Sequence, residues 1–161
     1  MTNNNIYFVA NWKMFGSVKS VNLLNKVISY SKIKKHKAKV IYCPPYTLIK
    51  SFVDKTKNSN IEIGAQDCHS EQNYGPFTGA ISSKMIKDLG GKFVIIGHSE
   101  TRAENDNKKI NLKIKSALNE KLNVILCIGE KLIDKRKNKT KYVLKKQLLE
   151  GLQNLKNLNK V

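Results

Sequence analysis

The residues Gly97-His98-Ser99-Glu100 follow directly on the apolar run Phe93-Val94-Ile95-Ile96. An imidazole, a hydroxyl and a carboxylate thus stand where a strand-like segment stops, and in a parallel α/β fold that end of a strand is where chemistry is done. A neutral imidazole at His98 can donate a hydrogen bond to a substrate carbonyl oxygen, and Glu100 can act as a base or orient its neighbours. Near the N-terminus, Asn11 and Lys13 close a second apolar run. Side chains two apart in a strand share a face, so an amide and an ammonium would converge on one spot, which suits an oxyanion or a phosphate-bearing ligand. A third run ends in Cys127-Ile128-Gly129-Glu130, where the glycine would permit close backbone approach and Glu130 would face the same mouth. Each group has a plainer reading: a surface lysine beside an asparagine turn, a structural histidine, a turn with a solvated acid. Spacing alone does not choose.

Positioning such groups needs strands that end together. The chain alternates between runs of strand and helix type. Strands are expected at Ile6–Asn11, Ala38–Cys43, Ile61–Ala65, Phe93–Ile96 and 124–128, the second stopped by Pro44-Pro45. Helices are expected at 18–32, 47–57, 82–89 and 107–121, the last with Ile110, Ile114, Ala117 and Leu118 on one face. A long loop rich in Gly, Pro, His and Asn covers 66–79, and a basic loop covers 131–138. Thr140 reads as the N-cap of a helix running to about Leu158. Five βα units without hairpin signals argue for a parallel sheet, either open and doubly wound or part of a (β/α)8 barrel, and periodicity cannot separate the two. No Gly-rich phosphate loop follows the first strand, which disfavours a dinucleotide fold.

Composition narrows the function classes. The 161 residues carry a formal net charge of +18 and 40% apolar residues, enough for one domain, residues 1–161, with a sizeable core. Only Arg102 and Arg136 are arginines, so 28 of the 30 basic residues are lysines. They are spread over helical segments rather than interleaved with aromatics, which argues against a nucleic-acid partner. The positive field would attract anionic substrates. Neither a membrane span nor a signal peptide is expected, and the expected compartment is the cytoplasm. Cys43, Cys68 and Cys127 lack the spacing of a disulfide framework or metal site, so reduced thiols and no metal are expected. His36 and His69 read as incidental.

Four segments together carry a resemblance. Ala10-Asn11-Trp12-Lys13-Met14, Gly75-Pro76-Phe77-Thr78-Gly79, Ile96-Gly97-His98-Ser99-Glu100 and Leu126-Cys127-Ile128-Gly129-Glu130 resemble the triosephosphate isomerase family in order, spacing and strand-end placement. The resemblance runs from about Ile6 to the end. It implies a (β/α)8 barrel, of which this chain holds five strands. It also implies cofactor-free interconversion of dihydroxyacetone phosphate and glyceraldehyde 3-phosphate. By that resemblance Asn11 and Lys13 contact substrate, with Lys13 stabilising charge on the phosphate and the enediolate. A neutral His98 polarises the carbonyl, Ser99 and Glu100 support the site, and Cys127, Gly129 and Glu130 lie beside it. The loop containing Thr78 resembles the arm that reaches into the second subunit of a homodimer.

The match departs in four places. Ala80 stands where the family usually has an acid, and Thr101 where it often has an arginine; the two commonly form an ion pair, so losing both leaves no orphan charge. The stretch 102–110 is slightly short. The family's proton-abstracting Glu, in a Glu-Pro-Val-Trp segment after a sixth strand, has no counterpart here, and a full barrel needs roughly 250 residues. The expectation is a fragment of a full isomerase that is inactive alone. A noncatalytic phosphosugar-binding remnant and a barrel completed by another chain are the alternatives.

Overall fold

The computed structural model describes residues 6–33 and 38–161. His36 and the N-terminal stretch 1–5, which figured in the incidental-histidine and signal-peptide readings, lie outside the described residues. The short β-rich runs form five strands: β1 Ile6–Asn11, β2 Ala38–Cys43, β3 Ile61–Ala65, β4 Phe93–Ile96 and β5 Asn123–Leu126. They lie side by side in chain order, every pair parallel. The return crossings carry α1 Leu24–Ile33, α2 Ile49–Thr56, α3 Ser83–Asp88 and α4 Asn107–Asn119, and α5 Leu132–Arg136 and α6 Thr140–Gly151 follow β5. The sheet curls into half of a barrel, as the partial (β/α)8 expectation requires. Because the strands are parallel and each is followed by helical chain, all five C-terminal ends meet on one rim.

Alternate strand residues sort to two faces. Ile63, Ala65, Val94 and Ile96 pack outward with helix residues such as Ile49, Phe52, Ile86 and Ile114 in the larger apolar cluster. Ile41, Cys43, Phe93 and Ile95 form a smaller cluster on the inner face. Burying a large aliphatic or aromatic side chain is worth roughly 1.5–3 kcal/mol, so the helix side supplies most of the hydrophobic stabilisation. Gly64 belongs to the inner row, where a Cβ would come within 2.9 Å of both Cys43 Sγ and Phe93 Cβ; its lack of a side chain lets β2, β3 and β4 close on each other. Burial pushes the Cys43 and Cys68 thiols up to about 12, so both act as small apolar groups.

Helix starts follow local chemistry. Ser82 caps α3 by accepting from the Met85 N–H at 3.2 Å, and Asp106 caps α4 by accepting from the Lys109 N–H at 2.7 Å. Among the described residues no helix is long and apolar enough to cross a membrane.

Several expected boundaries move. The helix expected over 18–32 opens as a 3-10 run, Val18–Leu23, because Ser17 and Ser20 bond each other's backbone in a tight turn before α1 begins. The helix expected over 47–57 likewise opens with Tyr46–Leu48 in 3-10 form before α2. The basic loop expected over 131–138 contains α5: the Asp134 carboxylate accepts from the Lys131 N–H at 3.3 Å, and a left-handed Asn138 ends the turn. Thr140 is the first helical residue of α6 rather than its N-cap, since its hydroxyl donates to Glu130 Oε1 at 3.2 Å. That helix stops at Gly151, not near Leu158, and the left-handed Asn154 and Asn157 redirect the chain behind it. Strand five starts and stops earlier than expected, at Asn123–Leu126.

Candidate active site

Asn11 is the last residue of β1 and pairs with Cys43 at the end of β2. Strand alternation does not carry Lys13 onto the same face, as the sequence suggested, because the chain leaves the strand first. Lys13 has φ +51°, a left-handed conformation that costs a side-chain-bearing residue roughly 1–2 kcal/mol. The turn is held from three sides. Asn11 Oδ1 accepts from the Lys13 N–H at 3.0 Å. The Gln66 side-chain amide donates to the Lys13 carbonyl at 2.8 Å and to the Cys43 carbonyl at 2.9 Å. Trp12 anchors the turn from the helix side, edge-on to Phe52 with ring centroids 5.0 Å apart.

The geometry brings Lys13 to β4 by another route. Lys13 Nζ donates to Glu100 Oε1 at 2.7 Å, and Glu100 Oε2 lies 3.5 Å from His98 Nδ1. Glu100 therefore sets its carboxylate against the Lys13 ammonium and beside the His98 ring on one rim, the first contact a charged hydrogen bond and the second a proximity only. Its carboxyl is held below the ordinary value, chiefly by the hydrogen bond from Lys13, so it stays ionised and acceptor-only. The Glu100 backbone N–H donates to His98 Nδ1 at 3.3 Å. In a neutral ring, an Nδ1 that accepts leaves the proton on Nε2, so Nε2–H becomes the free donor.

His98 reaches this position because Gly97 has φ +77° and turns the chain out of β4. The next residues form a single helical turn: the His98 carbonyl accepts from the Thr101 N–H at 2.9 Å, the Arg102 N–H at 3.0 Å and the Thr101 hydroxyl at 3.0 Å. Thr101, conspicuous in the sequence only as a replacement for arginine, thus has its own task in fixing the His98 backbone.

A cleft of about 490 Å³ opens beside His98 and is lined by Ser99, Cys127, Gly129 and Glu130 among others. The strand-four and strand-five candidates therefore share one wall. Ser99 is exposed there, and Glu130 is tied back to α6 through Thr140. At Gly129 the space a Cβ would take is open, with nothing within 4 Å. What fixes Gly129 is Gln147 of α6, whose side chain accepts from the Gly129 N–H at 2.9 Å and donates to the Gly129 carbonyl at 2.8 Å. Thr78 lies exposed on the 66–79 loop, outside this cluster.

Sequence reasoning missed Gln66, Arg102 and Gln147. Only Arg102 left a signal, as one of two arginines in a lysine-rich chain and four residues after His98. The glutamines are unremarkable in type and spacing, and only their contacts reveal them.

The family model described as triosephosphate isomerase matches residues 6–161. A triosephosphate isomerase of Wolbachia sp. subsp. Brugia malayi is 42% identical over 140 residues, covering 86% of this chain and 58% of that protein. One from Dictyoglomus thermophilum is 40% identical over 153 residues, covering 93% of this chain and 61% of the relative. The crystal structure of triosephosphate isomerase from Bartonella henselae superposes with a TM-score of 0.87 at 33% identity, covering 93% of this chain and 62% of that one. The chain spans about three fifths of the length of these relatives. With its five parallel strands and its Lys13–Glu100–His98 rim, the chain belongs to the triosephosphate isomerase family.

Proposed function

We propose that these residues form the electrophile side of an active site that interconverts dihydroxyacetone phosphate and D-glyceraldehyde 3-phosphate through an enediolate. The observation that carries the reading is the hydrogen bond from the Glu100 N–H to His98 Nδ1 at 3.3 Å, which in a neutral ring leaves Nε2–H as the donor on the strand rim. A donor held there polarises the substrate carbonyl and stabilises the oxygen as it gains negative charge. Lys13, already held on the rim by Glu100, supplies the cation that neutralises the phosphate and the enediolate. Asn11 contributes its amide and the turn that sets Lys13. Ser99, Cys127, Gly129 and Glu130 shape the neighbouring wall. In this reading the carbon acid gives its proton to a carboxylate from outside these 161 residues, and no cofactor takes part.

The same reading makes the 66–79 loop an arm that docks on a second copy of the chain. Exposed apolar side chains on that loop and on the Lys13 turn support it: Tyr74 and Phe77 on one, Met14 and Phe15 on the other. A homodimer working in the cytoplasm, as one domain over residues 1–161 and what completes it, is the corresponding assembly.

The test is steady-state isomerisation of triose phosphates by the complete product of the gene. His98→Gln is expected to lower kcat by about 10²–10³-fold while KM moves little, because the lost donor acts chiefly on developing charge. An unchanged kcat removes His98 from the mechanism. Phosphosugar binding without turnover by the unmodified protein would favour the noncatalytic alternative.

A further inference from the structure

The β4–β5 ladder stops one rung short of the site, and a side chain replaces the missing rung. In this parallel pair the Asn123 and Cys127 N–H groups donate to the Lys92 and Ile96 carbonyls, each at 2.8 Å. The alternation of a parallel ladder would next send the His98 N–H to the Cys127 carbonyl. The positive φ of Gly97 turns His98 away, and the Cys127 carbonyl instead accepts from Arg102 Nη2 at 2.8 Å. Space for that guanidinium exists because residue 97 is a glycine: a Cβ there would lie 2.9 Å from the Cys127 oxygen and 3.1 Å from Arg102 Nη2.

The other arm of the fork is also engaged. Arg102 Nη1 donates to Asn107 Oδ1 at 2.9 Å, and Asn107 Nδ2 donates to Glu150 Oε2 of α6 at 2.8 Å. The Arg102 backbone N–H donates to the His98 carbonyl at 3.0 Å. One residue therefore grips the histidine's own backbone, the exit of the next strand and, through Asn107, the helix behind. Among the described residues no carboxylate pairs with the guanidinium directly, and its Nε is buried without a partner. A half-buried cation resting on neutral acceptors is costly as a purely stabilising element. A planar fork can span two acceptors at a fixed angle, whereas an ammonium is a single point. In a chain with 28 lysines and two arginines, this is a place where the fork is used.

We propose that Arg102 is a positioning residue: by replacing the missing rung between β4 and β5, it fixes where the His98 imidazole stands relative to the Cys127–Glu130 wall. The proposal rests on the isomerase reading for its catalytic consequence, but not for its structural one.

The experiment uses the complete gene product carrying Arg102→Lys, which keeps the charge and stem but loses the fork, with Arg102→Ala as a second variant. Arg102→Lys is expected to lower kcat about tenfold or more, since small misplacements of a catalytic group are that costly, and to leave KM within about threefold. In a His98→Gln background the same change should cost little further, because the group it positions is gone. Nitrogen-15 spectra of the histidine rings should show the His98 resonances moving in Arg102→Lys while those of His69 stay in place. An equal loss of kcat in both backgrounds, or an unmoved His98 ring, overturns the proposal. If the unmodified protein shows no isomerase turnover but the His98 ring still moves, the functional reading falls and the positioning role stands.

Discussion

Removing one partner of the Lys113–Asp67 pair should destabilise the fold more than removing both. Lys113 lies on α4 with its side chain 8% exposed, and its ammonium meets Asp67 Oδ2 at 2.5 Å, where the carboxylate is 23% exposed. Asp67 opens the 66–79 loop. Its other carboxylate oxygen accepts from the Cys68 N–H at 2.9 Å, and its carbonyl accepts from the Tyr46 hydroxyl at 2.6 Å. Breaking a buried pair costs roughly 3–5 kcal/mol, most of it the uncompensated charge left behind. Lys113→Met orphans the better-solvated partner, which keeps its Cys68 bond, and should fall near the low end, about 3 kcal/mol. Asp67→Asn orphans the deeper ammonium and should cost about 4 kcal/mol. The double variant has no buried charge and should be more stable than Asp67→Asn alone. Urea unfolding followed by fluorescence of Trp12, the one tryptophan of these 161 residues, measures all three. For a chain of this size a 3 kcal/mol loss corresponds to roughly 6–12 °C in Tm. Simple additivity, with the double variant losing about 7 kcal/mol, would refute the reasoning, because it would mean that neither charge depends on the other.

Three further outcomes are expected. Gly97→Ala meets both a left-handed backbone and the Cys127 oxygen at 2.9 Å, so it should cost roughly 3–5 kcal/mol in urea unfolding; a loss below about 1 kcal/mol would show that the rim relaxes freely. Because the Glu100 pKa is lowered from 4.5, chiefly by the Lys13 hydrogen bond, the contribution of this contact is present above 4.5 and is lost as pH falls through the lowered value; carbon-13 titration should show Lys13→Met returning Glu100 toward 4.5, and no movement would mean that the pair does not persist in solution. Alkylation of the native protein at mildly alkaline pH should label Cys127 before Cys43 and Cys68, whose buried thiols are pushed up to about 12, and prior labelling of either buried cysteine would contradict the packing.

Much of the architecture was legible because it rests on local pattern. Apolar runs of four to six residues alternating with helical periodicity dictate parallel βα units, and the four strand-end motifs announce the rim. The errors fell where short-range hydrogen bonds compete with pattern. Ser17 and Ser20 tighten the start of the first helix, and Asp134 builds a helix inside a lysine-rich loop; α6 stops at Gly151, ahead of the left-handed Asn154 and Asn157.

By itself, then, the sequence determined the alternation of strands and helices along the chain and which chemistry-bearing side chains stand at strand ends. Those are consequences of spacing along one chain; that the strands lie in chain order is a fact of the folded sheet. The tertiary structure decided how the ends meet. Lys13 reaches His98 through Glu100 by leaving the strand in a left-handed turn, not by strand alternation. Arg102, marked in the sequence only by its rarity, and Gln147, not marked at all, acquired their roles when folding brought the Cys127 carbonyl and the Gly129 backbone to them. The physical reason is that an unpaired backbone group at the rim is satisfied by whichever side chain folding brings within 3 Å, and that proximity spans 25 residues in one case and 18 in the other.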